Sequence, residues 1–484
     1  MPDTEKNSAA QSFAGNVMKY SVATYLGFGI TGVALIVKGL LPSEVLGAPV
    51  TFMTYTATFM NLGILGLDQA LLRFYHEPPA GAKPRQLFAA CTRFSVVFML
   101  LGVVCSLFFS GPLAAALGLG SAGPGIIPLL FVNAGLYMLV RYLNVLLRLE
   151  NDLRAYTAET LWMQACYNLV YLLPGFFTSN ITILALTSIL SFCVVVIAFG
   201  FKYRAAALSD LPAPMAAGIA RTVVPYGIAL APAQILFSLS SGVCLSFVSN
   251  YCGDTAQGLF AFGYSLAQLV TAIQAGFSTY WGPYVYAHYR EQQERIARVH
   301  DVLNLLIFGF FCLLVMFEDV VFWIFANKRD CLSIFPLLML AVVFNILCEG
   351  TVYGNSIARK PWHDTIGIAI GAGSNFLLCS WLVPVWGLPG AALALAASNG
   401  FAFLYRTVTG QMYYRTIPSF AKTISGFLLA FAVTAIGTVL WQHFVLKFLL
   451  AGTILFIYCT LYRTQLIKLW QMGLGIVRGY LTKK

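Results

Sequence analysis

Basic side chains near the ends of apolar runs are the first candidates for chemistry in this sequence. Four arginines lie within about one or two helical turns of such an end, and one lysine lies on the polar side of the first run: Arg73, Arg93, Arg141, Arg221 and Lys38. A guanidinium makes bidentate, charge-assisted hydrogen bonds to phosphate, and an ammonium attracts phosphate as a point charge. A ring of these residues would attract a phosphorylated substrate.

Polar side chains also recur along the apolar run at residues 256–285. They are three or four residues apart in most cases, which places them near one face of a helix: Gln257, Tyr264, Gln268, Thr271, Gln274 and Ser278. The opposite face carries leucine, isoleucine, phenylalanine and tryptophan. A helix in lipid has little reason to carry a polar stripe unless the stripe faces protein or water. We therefore predict that this stripe lines an interface or a cavity.

The first two apolar runs have similar polar faces. Thr24 belongs to the face of the first run, and Asn61 follows several threonines at helical spacing in the second. A hydrophilic cavity is one interpretation, and close helix packing through threonine and small residues is the alternative. Asp68, near the end of the second run, is also a candidate for ion coupling.

Acidic residues inside the apolar runs are Asp68, Glu159, Glu318, Asp319 and Glu349. Glu349 lies near the middle of its run, within NILCEGTVYGNS, where a buried carboxylate would exchange a proton or hold a cation. The alternative for Glu349 is a pairing with a neighbouring basic or amide group. Glu318 and Asp319 are expected to pair with the basic residues of the following loop, Lys328 and Arg329.

Composition identifies the class of protein. Of the 484 residues, 59% are hydrophobic and only 10% are charged, whereas about a quarter of a soluble chain is charged, so the chain is an integral membrane protein. The formal charge of +11 does not indicate nucleic-acid binding, because the basic residues are scattered between apolar runs. Eleven cysteines without a CxxC pattern indicate neither a metal site nor disulfides. No motif of an enzyme or of a resident cofactor occurs.

Windows of about 20 apolar residues predict about fourteen transmembrane helices. The windows are 16–38, 46–72, 88–110, 125–148, 157–177, 181–201, 221–249, 256–285, 301–326, 332–357, 364–385, 388–411, 421–440 and 443–462. With both termini cytoplasmic, 25 of the 29 basic residues face the cytoplasm and only Lys38, Lys328, Arg329 and Lys447 do not. The positive-inside rule therefore explains the four arginines without a ligand, but it does not explain Lys38.

The chain also shows signs of internal duplication. Helix two with its exit and helix eight with its exit are offset by about 210 residues, and helices six and twelve keep roughly that offset. We predict an N-terminal six-helix bundle at 1–212, a C-terminal six-helix bundle at 213–418, two additional transmembrane helices at 419–462 and a basic amphipathic cytoplasmic tail at 463–484. An extended end of helix fourteen is the alternative for the tail.

Several stretches resemble the polysaccharide-biosynthesis transporters, the Wzx-like oligosaccharide flippases. The resemblance lies in GDTAQGLFAFGYSLAQLV running on to STYWGPYVYAHYRE, in GNSIARKPWHDTIGIAIGAGSNFLLCSWLVPVWGLPGAALALAASNGFAFLYR, and in the Leu72-Arg73-Phe74-Tyr75 exit of helix two. It covers the full length and implies an all-α polytopic membrane protein of the multidrug/oligosaccharidyl-lipid/polysaccharide exporter superfamily. Two six-helix bundles in a V and two C-terminal helices are then expected.

The resemblance implies transport and no enzymatic activity. The expected activity is the flipping of undecaprenyl-diphosphate-linked oligosaccharide from the cytoplasmic to the outer leaflet of the bacterial inner membrane, by alternating access. Such activity serves cell-surface polysaccharides such as O-antigen and lipopolysaccharide. A cation-coupled drug exporter is the alternative, and a membrane glycan polymerase or ligase would require a large outer loop that the sequence lacks.

The family holds the diphosphate with cavity arginines or lysines, for which this chain offers Lys38, Arg73 and Arg221. Thr24, Asn61, Gln257, Tyr264, Gln268 and Gln274 are the expected cavity wall, since amides and hydroxyls suit sugar hydroxyls. Glu349 and Asp68 are candidates for coupling to a proton or sodium gradient. The expected partners are the lipid-linked oligosaccharide, membrane lipids and polysaccharide assembly proteins, with no nucleic acid, no metal and a monomeric transporter.

Overall fold

The computed structural model describes residues 26–467, except 76–77, 151, 208, 210–211, 272–273, 275–277, 279–280, 282–283, 287, 359 and 361. Sixteen helices occur in these ranges: α1 (Leu26–Leu40), α2 (Ser43–Ile64), α3 (Leu67–Phe74), α4 (Pro84–Phe108), α5 (Ser110–Ala116), α6 (Ile126–Leu149), α7 (Leu153–Asn168), α8 (Ile181–Ala207), α9 (Ala213–Cys252), α10 (Asp254–Gln268), α11 (Gln293–Ile324), α12 (Phe335–Cys348), α13 (Tyr353–Ile357), α14 (Trp362–Tyr413), α15 (Phe420–Val439) and α16 (Phe444–Leu461). Further helical residues occur within 271–288 and at 463–467. Short 3₁₀ segments and turns make other connections, and these ranges contain no strand. The all-α prediction is confirmed.

The long apolar helices confirm a multi-pass membrane protein. Within the described ranges, nine helices are long and apolar enough to cross a membrane, and the bent pair of α2 and α3 makes a tenth span. Each of the fourteen predicted windows overlaps helical residues of the structure. Composition and the length of apolar runs were therefore sufficient to locate the spans.

Proline and glycine set the main breaks between helices. Pro42 ends the connection between α1 and α2, and Gly66, with φ of 70°, lies where α3 turns away from α2 by 51°. Within α14, Gly387 has φ of 59° and ψ of −131°, which L residues rarely adopt, so the helix is sharply kinked there. The kink falls between the predicted windows 364–385 and 388–411.

Two predicted helices are interrupted in the structure. The window 256–285 breaks after Gln268, where α10 ends and where the Gln268 carbonyl accepts a hydrogen bond of 2.6 Å from the Thr271 hydroxyl. The window 332–357 breaks at Glu349, between the end of α12 at Cys348 and the start of α13 at Tyr353. Glu349 therefore lies at a helix end and not in the middle of a helix.

The chain forms two compact units. The first comprises residues 1–272 and 368–394, and in it α2 packs against α6, α9 and α10. The second comprises residues 273–367 and 395–484, and in it α11 packs against α12, α15 and α16. We predicted a different division, based on internal duplication, and that division stays a prediction. Its segments are 1–212, 213–418, 419–462 and 463–484. Most of the predicted tail lies outside the described residues.

Candidate functional site

Lys38 is a buried basic residue of the first unit. It lies in the last turn of α1, it is 9% exposed, and its Nζ donates to the Ser265 hydroxyl of α10 at 3.0 Å. Among the described residues, no carboxylate lies within ion-pair distance of Lys38. A buried charge is normally paired, because its desolvation is costly. An ammonium has three N–H donors, so Lys38 has hydrogen-bonding capacity to offer an anion.

Amide and hydroxyl groups continue this polar surface along α2, α9 and α10. Asn61 Nδ2 donates to the Ser238 hydroxyl at 3.4 Å, and the hydroxyls of Tyr264 and Ser241 share a hydrogen bond of 2.7 Å. The Gln268 side chain lies beside the Tyr264 hydroxyl. Three predicted wall residues, Asn61, Tyr264 and Gln268, therefore lie on α2 and α10, and α10 also carries Ser265, the partner of Lys38. All of these side chains are neutral.

Gln257 lies at the tightest helix contact of the first unit. It is fully buried, and its amide donates to the Thr51 hydroxyl at 2.7 Å and to the Gly118 carbonyl at 3.3 Å. At the neighbouring Gly258 the backbones of α10 and α2 are so close that a Cβ would overlap the Ser43 carbonyl oxygen. In this structure Gln257 joins helices, and its role in the cavity wall stays a prediction. Thr24 lies outside the described residues.

Arg73 of α3 and Arg221 of α9 lie on helices that pack against each other, at the end of the first unit that is opposite to Lys38. Both are exposed, and Phe74, over which the Arg73 guanidinium lies at 5.6 Å, packs edge-on against Tyr226 of α9. Lys38 precedes α2 and Arg73 follows it, and the 22 residues of α2 extend over about 33 Å. The two arginines and Lys38 therefore cannot hold one diphosphate at the same time in this conformation.

Asp68 forms an internal ion pair. It is 3% exposed, and its Oδ2 accepts from Arg141 Nε at 3.3 Å, from Arg141 Nη2 at 3.2 Å and from Gln69 Nε2 at 3.1 Å. Arg141, which the sequence offered as a phosphate ligand, is thus engaged by a carboxylate. The arrangement neutralises both charges at the junction of α3 and α6.

Glu349 has amide and hydroxyl partners within the second unit. Its Oε1 accepts from Gln274 Nε2 at 3.0 Å, and its Oε2 accepts from the Tyr353 hydroxyl at 3.4 Å. Two predicted residues, Gln274 and Glu349, therefore meet. The amide pairing that the sequence left open is the one observed, while the role of Glu349 in ion coupling stays a prediction.

Two ion pairs border a small cavity at the ends of α6 and α8. The cavity of about 360 Å³ is lined by Arg85, Glu150, Asp152, Lys202 and Tyr203. Arg85 pairs with Glu150 at 3.5 Å, and Lys202 pairs with Asp152 at 2.5 Å. The hydrogen bond from Lys202, together with one from a backbone N–H of α7 and one from the Tyr203 hydroxyl, lowers the pKa of Asp152 from 3.8 to about 2. This cavity carries balanced charge.

The partner predicted for Glu318 is wrong. The sequence suggested Lys328 and Arg329 because they follow in the next loop, but Lys447 of α16 donates to Glu318 Oε1 at 2.7 Å and also pairs with Asp319. Lys447 and Glu318 are both fully buried. The packing of α11 against α16 creates this pair, and sequence spacing alone does not indicate such a long-range contact.

The sequence analysis missed the hydroxyl partners of the site. Ser238 and Ser241 of α9 and Ser265 of α10 each meet a predicted site residue. The run Ser238-Leu239-Ser240-Ser241-Gly242 was a usable signal, since three hydroxyls within four residues are unusual in an apolar helix. The sequence also gave no role to Glu159, which the structure buries completely.

Comparison with solved structures identifies the fold. The structure is similar to the lipid II flippase MurJ in its inward closed conformation, with a TM-score of 0.71 and 12% identity, over 92% of this chain and 99% of that one. It is also similar to an inward-facing multidrug resistance MATE family transporter of the MOP superfamily, with a TM-score of 0.52 and 16% identity, over 80% and 93% of the two chains. No family model and no curated protein sequence matches the chain significantly.

At these identities the likeness is one of fold. The chain has the fold of the multidrug/oligosaccharidyl-lipid/polysaccharide exporter superfamily, as the resemblance implied, and the solved neighbours are transporters and flippases. Function has to be argued from the side chains of this chain.

Proposed function

We propose that this protein is a flippase of the bacterial inner membrane that moves undecaprenyl-diphosphate-linked oligosaccharide from the cytoplasmic to the outer leaflet by alternating access. The observation that carries the proposal is Lys38, a buried ammonium without a carboxylate partner among the described residues. A diphosphate supplies the missing negative charge. The neighbouring amides and hydroxyls suit the hydroxyls of a sugar.

The physical task is to shield the polar headgroup from hydrocarbon, where an unpaired charge costs several kcal/mol or more. The lipid tail can remain in the bilayer while the headgroup crosses. Arg73 and Arg221, exposed at the end opposite to Lys38, would attract the diphosphate on the cytoplasmic side. Lys38 would receive it near the outer side, so the three residues act in succession. Both termini are then cytoplasmic, in agreement with the distribution of the basic residues.

A cation-coupled drug exporter of the same fold is the weaker alternative. Such a transporter would use a carboxylate of the first half to bind a cation, and Asp68 is the candidate there. Asp68 is held by Arg141 through two hydrogen bonds, which satisfies its charge. Lys38, in addition, favours an anionic substrate. A flippase for cell-surface polysaccharide, acting as a monomer beside assembly proteins, therefore fits these side chains better.

Glycan display in a strain that lacks the gene tests this proposal. Lys38→Ala is expected to abolish display at normal expression, whereas Lys38→Arg is expected to restore most of it, because it keeps the positive charge. Lys202→Ala is the matched control, since it removes an exposed lysine of the same unit whose partner is Asp152. Normal display by Lys38→Ala would overturn the phosphate-binding role of Lys38.

A further inference from the structure

Glu159 of α7 differs from the other fully buried carboxylates of the described residues. Asp68 is paired with Arg141, and Glu318 is paired with Lys447. Glu159 is 0% exposed, and no Lys, Arg or His among the described residues lies within ion-pair distance of it. Its charge, if present, would have no partner.

The hydrogen bonds of Glu159 do not replace a counter-ion. Its Oε2 accepts from Asn144 Nδ2 at 2.6 Å, and the same amide nitrogen also donates to the neighbouring Thr160 hydroxyl at 2.9 Å. Its Oε1 is buried without any hydrogen-bond partner. One N–H of the Asn144 amide is a small fraction of what water gives an ionised carboxylate, which has about four lone-pair sites to satisfy.

The elements packed around α7 supply few ionisable groups. From α6, Arg141 and Tyr137 lie within electrostatic reach of Glu159, and Arg141 is already bonded to Asp68. The 3₁₀ segment Val170–Phe176 contributes Tyr171.

The cationic groups of α8 are near the far end of α7. Lys202 and Tyr203 are bonded to Asp152, which caps α7 about two turns from Glu159. Arg204 follows them, and its guanidinium lies over the Phe201 ring at 3.9 Å. Arg148 of α6 and Arg154 of α7 are exposed, and the cation within electrostatic reach of Glu159 among the described residues is Arg141.

Burial of an ionised carboxylate without a partner costs several kcal/mol, and such a group takes up a proton instead. We propose that Glu159 is a proton-binding site of the first unit, loaded with its proton in this conformation, and that Arg141 controls the release of that proton. When Arg141 leaves Asp68 and turns towards Glu159, Glu159 ionises and its proton passes to water. Asp68, left without its guanidinium, takes up a proton from water. One guanidinium thus serves two carboxyls that hold one proton between them.

This assignment separates Glu159 from the two acids that the sequence suggested. Asp68 has its cation in this conformation, and Glu349 is only half-buried and accepts two hydrogen bonds. Glu159 combines complete burial, an oxygen without a partner and a nearby arginine that is already engaged. An intramembrane acid in such surroundings is a functional candidate.

Labelling with the hydrophobic reagent dicyclohexylcarbodiimide tests whether Glu159 carries a proton. The reagent adds to a protonated carboxyl in an apolar environment, and the adduct rearranges to a stable N-acylurea with no leaving group. In purified protein at neutral pH, peptide mass spectrometry is expected to find the adduct on Glu159. Glu318, which is equally buried but paired with Lys447, is the internal control and is expected to stay unlabelled.

Infrared spectroscopy decides the case if the reagent fails to reach α7. The carbonyl stretch of a protonated carboxylic acid is expected in the wild type and is expected to be missing from Glu159→Gln, whose side chain keeps the acceptor for Asn144. Loss of that band supports the proposal with or without the adduct. An unchanged band together with an unlabelled Glu159 would overturn it.

The link between Glu159 and transport rests on the proposed function. Its test distinguishes failure of the proton site from failure of the flippase activity. In proteoliposomes, flipping of undecaprenyl diphosphate by the wild type is expected to depend on an imposed pH gradient, whereas Glu159→Gln is expected to lose that dependence. An identical pH profile in both proteins would overturn coupling through Glu159 while the flippase stands. If the wild type flips nothing but Glu159 is labelled, the proposed function fails and the proton site stands.

Discussion

Lys447 of the second compact unit and Lys38 of the first are both buried, but their surroundings are opposite. Lys447 of the second unit contacts the carboxylates of Glu318 and Asp319, and Lys447 is fully buried with Glu318. Lys38 of the first unit is nearly as buried but contacts a single hydroxyl, that of Ser265. Burial is therefore similar while charge compensation is not. The difference separates a lysine that stabilises the fold from a lysine that is available to an anion.

The buried glutamates show the same contrast. Glu318 of the second unit has a lysine at 2.7 Å, whereas Glu159 of the first unit has only the Asn144 amide. The first unit thus holds a lysine without a carboxylate partner, Lys38 of α1, and a glutamate without a basic partner, Glu159 of α7. These two groups do not neutralise each other, and we assign one to the diphosphate and the other to a proton. A buried charge indicates function here when its partner is missing.

Removal of Lys447 is expected to have the largest effect on stability. Lys447→Ala leaves Glu318 and Asp319 buried beside each other without a cation, which costs about 3–5 kcal/mol. Thermal unfolding of the purified protein, followed by intrinsic fluorescence, measures the loss. Lys38→Ala, the matched variant in the first unit, is expected to unfold close to the wild-type temperature. Equal losses of thermal stability in both variants would contradict the distinction between a paired Lys447 and an unpaired Lys38.

A methyl group at the contact of α2 and α10 is expected to have the next largest effect. In Gly258→Ala the new Cβ would overlap the Ser43 carbonyl oxygen, so the helices must separate at a cost of about 1–3 kcal/mol. Cysteine accessibility in a Thr51→Cys background measures the opening, with the native cysteines as the baseline. Gly373→Ala is the control, because a Cβ there meets no atom within 4 Å. Unchanged accessibility in Gly258→Ala would argue against a tight contact.

The smallest effect is expected at the exposed pair of Asp152 and Lys202. The pKa of Asp152 is lowered from 3.8 to about 2, chiefly by the hydrogen bond from Lys202, so the pair stabilises the folded state above about pH 4 and loses that effect as the pH falls towards 2. Asp152→Asn is expected to cost about 1 kcal/mol or less at neutral pH and to flatten the pH dependence of unfolding between pH 4 and 2. A pH profile that matches the wild type would contradict this assignment.

The sequence was sufficient for the features that depend on local chemistry. Apolar runs located the helices, and the gap between the predicted windows 364–385 and 388–411 coincides with the kink at Gly387. Contacts that depend on long-range packing were harder to predict from the sequence. Lys447 is 129 positions away from Glu318 in the chain, and nothing in the spacing connects them.

The candidate site was predictable in part for the same reason. Lys38 stood out because the topology did not require a positive charge there, and the polar faces of α2 and α10 were visible in the helical period. The burial of Gln257 was not visible, because a polar stripe looks the same whether it faces water or the backbone of another helix. Glu159 was not distinguished from the other acids, because the absence of a partner can be seen only in the folded chain.

Binding of undecaprenyl diphosphate to the protein in nanodiscs, measured by native mass spectrometry, tests the role of Lys38 most directly. The wild type is expected to prefer undecaprenyl diphosphate over undecaprenol, and Lys38→Gln is expected to reduce that preference by roughly tenfold or more, since a charge-assisted hydrogen bond contributes about 1.5–3 kcal/mol. Lys202→Gln is expected to keep the wild-type preference. An undiminished preference in Lys38→Gln would contradict the assignment of Lys38 as the residue that binds the diphosphate.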